Sequence, residues 1–417
     1  MTAPPSASAA GVPSLLRQHA FLRLWAARFL GVLAGQIQGV TIAWLIYAVA
    51  RAHSDVKHAA FAVGMVGLAQ FLPLFALTLV AGEMADRHDR KAIVATCIAA
   101  QALTAAALAG VAFAHLASVW PIYLLAAVFG CARAFLSPAT TALGPMLVPR
   151  ELLPKAIAWN SLSMQAASIT GPAIGGLICA ASPALAFCVS VGLYGVSCLA
   201  ALSIKGRTKP QVQAGSRWDL VKEGLTYIWT SRVVIGAISL DLFAVLLGGA
   251  TALLPVFARD VLQVGAQGFG ILRAGPSIGA AVVALALASR PIRRHAGLIM
   301  FTGVALYGAA TVVFALSKTF ALSVAALVVL GAADMLSVFI RQTLVQIVTP
   351  DAMRGRVAAV STLFIGASNE LGEFESGVTA RLLGPIGSAL FGGVGALLVT
   401  GLWSQLFPAL RKADRLT

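Results

Sequence analysis

At 417 residues, 59% of them hydrophobic and only 11% charged, the chain has less than half the charge density of a soluble domain, where about a quarter of residues are charged. Its mean hydropathy of +0.89 means more apolar surface than one aqueous core can bury, so a water-soluble monomer is excluded and the bilayer is the solvent that fits. The net charge of +15 would point to nucleic acid in a soluble protein, but the basic residues sit in short loops with no interleaved aromatics for base stacking. They read as topology determinants and lipid-headgroup contacts, with no nucleic-acid partner.

Met1 to Ser14 is polar and rich in Ala, Pro and Ser, and residues 1–20 are expected to form a disordered cytoplasmic lead. The first apolar run contains Arg28 and outlasts a signal-peptide core, so it is expected to stay in the mature protein. Segments long enough to cross a hydrocarbon core of ~30 Å occur at 21–49, 59–82, 91–115, 119–146, 155–180 and 183–204, then at 232–257, 266–289, 296–317, 320–346, 355–381 and 384–409. The pattern predicts an all-α membrane protein with twelve transmembrane helices in two six-helix bundles, 21–204 and 232–409. A cytoplasmic linker at 205–231 joins them, and 410–417 forms a cytoplasmic tail. Within the linker, Arg217–Ser231 spaces Trp218, Val221, Leu225 and Ile228 three and four apart, the stripe of an interfacial amphipathic helix. Cys97, Cys131, Cys179, Cys188 and Cys198 all lie in apolar segments with no CxxC pair and no nearby His. They read as packing residues and not as a disulfide or metal framework.

Lys and Arg total 21 on the side of both termini and 5 on the other, with Arg28, Arg133, Arg273 and Arg341 inside spans. That bias predicts cytoplasmic termini. A shift of 201 residues lays Val148–Leu162 (VPRELLPKAIAWNSL) on Thr349–Leu363 (TPDAMRGRVAAVSTL), and Gly130, Gly171 and Gly176 on Gly331, Gly372 and Gly377. The common offset predicts parallel repeats about an axis along the membrane normal.

Between the second and third spans, Gly82–Lys91 reads GEMADRHDRK. It resembles the loop signature of the major facilitator superfamily, G-x-L-a-D-r-x-G-r-k, at Gly82, Ala85, Asp86, Arg87, Arg90 and Lys91. Met84 replaces Leu, and Asp89 stands where the pattern has a glycine able to take positive φ. The resemblance implies the major facilitator fold, with Asp86 facing the N-terminal end of the eleventh helix as a latch between the halves. Gly171–Gly176, GPAIGG, resembles the glycine-rich end of a signature found in proton-driven exporters, with Ala167 where a further Gly is expected. Its glycines (Gly171, Gly175, Gly176) allow close helix approach and Pro172 allows a bend. Arg133–Val148 and Asn369–Gly384 resemble the enterobactin-exporter-like branch of multidrug and siderophore efflux proteins. Arg133 lies off the fourth-helix arginine pattern of many exporters.

Ionisable side chains in mid-membrane are costly, about 2.5–3.5 kcal/mol on insertion scales, and are functional candidates by default. Arg133 and Asp334 occupy equivalent positions under the 201 offset, in spans four and ten. They are expected to line or gate the pathway, a direct ion pair being one arrangement and neutralisation by substrate another. Arg28 and Asp241 are candidates at similar depth in spans one and seven, or else residues that snorkel or cap packing. Span eleven carries Asn369, Glu370, Glu373 and Glu375. Glu370 and Glu373 share a helical face, while Glu375 points about 160° from Glu373 and is a candidate for simple hydration. Burial penalises the charged form of a carboxyl and a neighbouring acid adds to the penalty, so Glu370 or Glu373, with Asp334, are the expected proton sites. Arg273 and Arg341 either neutralise these acids or snorkel. Gln36, Asn160, Gln165 and Asn369 are the expected substrate contacts, and Gln38 and Gln70 are further candidates for substrate or interhelical hydrogen bonds.

These features predict a secondary transporter, most simply a proton-coupled exporter of a small amphipathic molecule, drug-like or siderophore-like, working by alternating access. It would be a monomer in a bacterial inner membrane, in contact with lipid, without cofactor or metal. Uptake symport or lysolipid flipping on the same fold, and a receptor or scaffold outside transport, are the alternatives. The six histidines lie in loops or at span ends, and no HExxH, GxSxG or Walker motif exists, so a membrane enzyme or ATP-driven pump is not expected.

Overall fold

The computed structural model describes residues 15–205, 208–209, 217–290, 292 and 294–413. The lead expected to be disordered over 1–20 is corrected for its last part: Leu15–Arg17 form a 3₁₀ turn with Leu15 buried, and a helix already begins at His19. Its residues up to Ser14, the last four tail residues, and the side chains of Trp218 and Val221 lie outside the described residues. No strand occurs among those described. The first half is α1 (His19–His53), α2 (Val56–Arg87), α3 (Arg90–Phe113), α4 (Trp120–Leu143), α5 (Leu153–Ala181) and α6 (Pro183–Leu202). After α7 (Arg217–Thr230) come α8 (Arg232–Leu247), α9 (Gly265–Ser289), α10 (Ala296–Leu316) and α11 (Phe320–Val348).

Among the described residues, eleven stretches are long and apolar enough to cross a membrane. The last runs for 43 residues, Phe364–Leu406, which as one helix would be about 65 Å, twice the hydrocarbon core. It does not run straight. Gly384 takes φ +81° and ψ 166°, followed by Pro385, a conformation that only glycine adopts without strain. The chain therefore turns there into α12 (351–383) and α13 (385–406), which makes twelve passes among the described residues.

The seventh pass departs from the expected continuous helix over 232–257. α8 ends at Leu247, and the chain continues as a 3₁₀ segment, Gly249–Leu253, a short α-turn, Leu254–Val256, and a π-turn, Phe257–Val261. Gly248 and Gly249 are poor helix formers, and Pro255 removes a backbone donor. Tertiary contacts take up the freed carbonyls: Tyr307 Oη donates to Gly248 O at 2.8 Å, and Arg273 Nη1 to Thr251 O at 3.1 Å.

At the end away from the termini, two helix pairs bring the halves together through facing glycines. α2 packs on α12, where a Cβ on Gly64 would lie 2.6 Å from Gly377 Cα; α5 packs on α9, where a Cβ on Gly176 would lie 2.6 Å from Gly270 Cα. Such approach requires glycine on both sides. Gly176 and Gly377, matched by the repeat offset, thus sit at corresponding inter-half contacts. Within the GPAIGG run, Gly171 faces Gln36 and Gly175 faces Ile37 on α1, while α5 passes through Pro172 without interruption.

The loop signature is mostly helical. α2 carries it as far as Arg87, and Asp89 caps α3, accepting from Lys91 N at 3.0 Å with φ −63°. This corrects the expectation of a turn suited to positive φ: at position 89 the chain needs an N-cap, which Asp supplies. Arg90 ties the turn to α4 through Ala142 O at 3.0 Å and approaches Asp86 at 3.5 Å. Lys91 reaches Ile204 O at 2.9 Å, beyond the end of α6, and Arg87 pairs with Glu83 on its own helix at 2.7 Å. Gly82 is buried beside this turn. At the start of α12, where the latch partner of Asp86 is expected, the side chains of Asp351 and Ala352 lie outside the described residues. At the opposite end, exposed Asp55 caps α2, and the hydrogen bond from His58 N holds its carboxyl below the usual range.

α7 docks on the second half. Ile228 is buried against Val234, Val357 and Val360, Leu225 packs beside it, and Glu223 pairs with Arg356. The described part of its apolar stripe faces the second half of the protein.

Candidate functional site

A cavity of about 740 Å³ lies between the halves. Its charged lining comprises Arg28 on α1, Arg133 on α4, Arg273 on α9, and Glu370 and Glu373 on α12; Gln36, Gln70 and Gln101 add polar groups. Arg133 Nη1 meets Glu370 Oε1 at 2.8 Å and Gln70 Oε1 at 3.1 Å, so this ion pair bridges the two halves. Arg273 Nη2 approaches Glu373 Oε1 at 3.5 Å, and the same guanidinium holds the broken seventh pass through Thr251 O. Arg28 pairs with no carboxylate among the described residues; its Nη2 lies 3.5 Å from Met164 Sδ. The wall is therefore one positive charge in excess.

The cavity is sealed at the end away from the termini. There Tyr47 donates to Asp260, Arg51 Nε approaches Asp260 Oδ1 at 3.4 Å, and the Arg259 guanidinium stands 5.9 Å from the Tyr47 ring centre. Lys57 Nζ donates to Leu382 O at 3.4 Å, and Arg381 lies 5.1 Å over Phe61. Towards the termini, the lining extends to Ala27 on α1, Val94 on α3 and Thr141 on α4, each near the terminus-side end of its helix.

The remaining candidates are placed as follows. Arg133 and Asp334 do not meet. Asp334 faces α8 and α10 within its own half, beside a second pocket with Asp241, Tyr307 and Ser337, whereas Arg133 faces the central cavity. Asp241 pairs instead with Arg341 at 3.2 Å, in full burial, so Arg341 does not snorkel. Of the four expected substrate contacts, only Gln36 lines the cavity. Gln165 Nε2 donates to Ser277 O at 2.7 Å, a strut between α5 and α9. Asn369, about 100° around the helix from Glu370, is exposed outside the cavity. Asn160 also lies off the lining, with its Oδ1 buried and unpartnered among the described residues; the Gln38 side chain is fully buried and makes no hydrogen bond among them. Glu375 bonds Ser376 at 3.4 Å, away from the cavity. Reasoning from sequence missed Gln101 and the Tyr47–Asp260–Arg51 seal. An acid beside Arg259 at a span end was the available signal for the seal.

Two six-helix halves around a charged, one-end-sealed cavity define a multi-pass membrane carrier. The chain belongs to the family described as transmembrane secretion effector, whose model matches residues 10–416, and it is a transporter of the major facilitator superfamily. It is 27% identical over 410 residues to the enterobactin exporter EntS of Shigella boydii serotype 18, covering 96% of this chain and 94% of that protein. Among solved structures it resembles a mutant form of the nucleoside transporter NupG (TM-score 0.69, 14% identity, 94% of this chain and 99% of that chain). It also resembles a bacterial homologue of the iron transporter ferroportin in an inward-facing state (TM-score 0.66, 17% identity, 94% and 100% covered). The family and these relatives are transporters.

Proposed function

We propose that the chain is an exporter of a small amphipathic molecule bearing an acidic group, working by alternating access across a bacterial inner membrane with both termini cytoplasmic. A cation gradient, most simply of protons, drives it. The observation that carries this reading is the cavity wall, in which two arginines are matched by two glutamates and Arg28 is left over. An acid on the substrate neutralises that excess, while the apolar remainder packs on residues such as Phe269 and Val66. With the sealed end outward, the conformer is the loading state. Opening the other way requires the Arg133–Glu370 bridge and the Tyr47–Asp260 seal to break, and the halves then rock about the midplane. The enterobactin exporter relative supports the outward direction.

An efflux and susceptibility panel of acidic, neutral and cationic amphiphiles, run in a deletion strain with and without the gene, tests this. The expected result is cellular accumulation of acidic compounds without the gene, reversed by the wild type. Arg28→Gln is expected to lower their efflux at least about tenfold, the loss of one charge-assisted hydrogen bond, with little change for neutral compounds. Faster uptake in an overexpressor, or equal loss for every compound class in Arg28→Gln, would contradict the reading.

A further inference from the structure

The charge balance inside the second half leaves one acid over. Asp241 on α8 and Arg341 on α11 pair at 3.2 Å with side chains only 6% and 2% exposed. Asp334, two turns before Arg341 on the same helix, opens on a cavity of about 10 Å³ that it lines with Asp241, Tyr307 and Ser337. Ser337 is 3% exposed, and its Oγ makes no hydrogen bond, nor does Arg341 Nε. Asp334 likewise receives no hydrogen bond among the described residues. Two carboxyls face one guanidinium, so with both ionised the cluster would carry one net negative charge, and half-buried Asp334 is the one left without a cationic partner among the described residues.

The size and charge of the pocket define its occupant. About 10–15 Å³ holds a single water, which excludes any organic substrate, and one net negative charge is cancelled by one monovalent cation. The central cavity does not offer the same chemistry, since Glu370 and Glu373 already have Arg133 and Arg273. We propose that the Asp334–Asp241–Ser337 pocket is a monovalent-cation site, taking a proton or Na⁺, and that it is the seat of the coupling ion, distinct from the substrate cavity. This rests on reading the chain as a gradient-driven carrier. The two carboxylates and the Ser337 hydroxyl supply oxygen ligands for Na⁺, and Asp334 supplies the base for a proton.

The pocket is wired to the transport pathway through one side chain. Tyr307 lines it and also donates to Gly248 O, where the seventh pass leaves α-helical geometry. Three residues on, Thr251 lines the substrate cavity and accepts from Arg273, the partner of Glu373. Filling or emptying the pocket therefore bears on the segment that forms part of the substrate wall. The ionisable groups of the surrounding helices face elsewhere: Arg273, Glu370 and Glu373 line the main cavity, Glu375 bonds Ser376, and residues 385–406 contain none.

Thermal unfolding of the purified full chain, with the cation itself as probe, tests the proposal. Exchanging choline for Na⁺ at about pH 8, or lowering the pH to about 6 in choline, is expected to raise the wild-type Tm by several °C; the arm that responds identifies the ion. Asp334→Asn is expected to abolish that response, and Glu373→Gln to keep it. Should Asp334→Asn fail to fold, wild-type protein treated with a hydrophobic carbodiimide is expected to be modified at Asp334, with Na⁺ or higher pH protecting it. A wild type that responds to neither condition, a response that survives Asp334→Asn, or carbodiimide adducts confined to Glu370 and Glu373 would overturn the proposal. No transported molecule enters these assays, so their failure and failure of the efflux panel are separately visible.

Discussion

Glu370→Gln is expected to lower transport roughly 30-fold while the protein remains folded. The Arg133–Glu370 pair is the 2.8 Å ionic bridge between the halves inside the cavity. Removing one partner from a buried pair costs about 3–5 kcal/mol because the other charge is left uncompensated. Arg133 is 41% exposed and Glu370 11%, so solvent screening trims this to about 2 kcal/mol, or about 30-fold in a rate or equilibrium. The loss falls on transport because the bridge joins two bodies that must separate and rejoin, whereas each half keeps its own core. Arg133→Gln should behave alike, and the exchanged pair, Arg133→Glu with Glu370→Arg, should recover a substantial share of activity. A dead exchange beside two dead single variants, all folded by size exclusion, would show that the charges act separately.

Gly64→Val combined with Gly176→Val is expected to move the resting population away from the sealed conformer and to cut transport at least about tenfold. A Cβ at either position falls 2.6 Å from the Cα of the facing glycine, and overpacking of this kind typically costs about 1–3 kcal/mol. The cost arises only when the halves are closed at that end, so it acts on the conformational equilibrium more than on folding; 1–3 kcal/mol corresponds to about 5–150-fold. Cysteines placed at Lys57 and Leu382, whose side chain and carbonyl meet at 3.4 Å, report the seal. Their cross-linking should be efficient in the wild-type background and fall in the double variant. Undiminished cross-linking with full transport would contradict the assignment of the glycine pairs as closing contacts.

The span count, the repeat and the mid-membrane charges were legible in sequence because they depend on local hydropathy and spacing. The pairing of the charges was not. A repeat offset relates equivalent positions, but equivalent residues meet only when they lie near the symmetry axis. Arg133 and Asp334 do not: one faces the central cavity, the other the interior of its own half. The partner of Arg133 is instead Glu370, on a helix whose face was legible but whose neighbour across the interface was not. The substrate contacts fared similarly, since Asn369 and Glu370 are adjacent in sequence yet face different surroundings. The break after Leu247 has a local signal in Gly248, Gly249 and Pro255, but it is held by Tyr307 and Arg273 from other helices. Residue 89 shows the reverse case. A family pattern suggested a conformational demand for glycine, and the chain meets the position with a helix cap.

The central claim is that one cavity opens to each side of the membrane in turn. Ser137 lines that cavity and is exposed within it, so a single cysteine placed there, with the five native cysteines replaced, reads access directly. With a membrane-impermeant thiol reagent, the resting protein should label from the terminus side, in inverted vesicles, and be protected in right-side-out vesicles. Adding Gly64→Val and Gly176→Val should reverse that preference. Labelling from neither side, or from both at once in the same conformer, would contradict an alternating carrier.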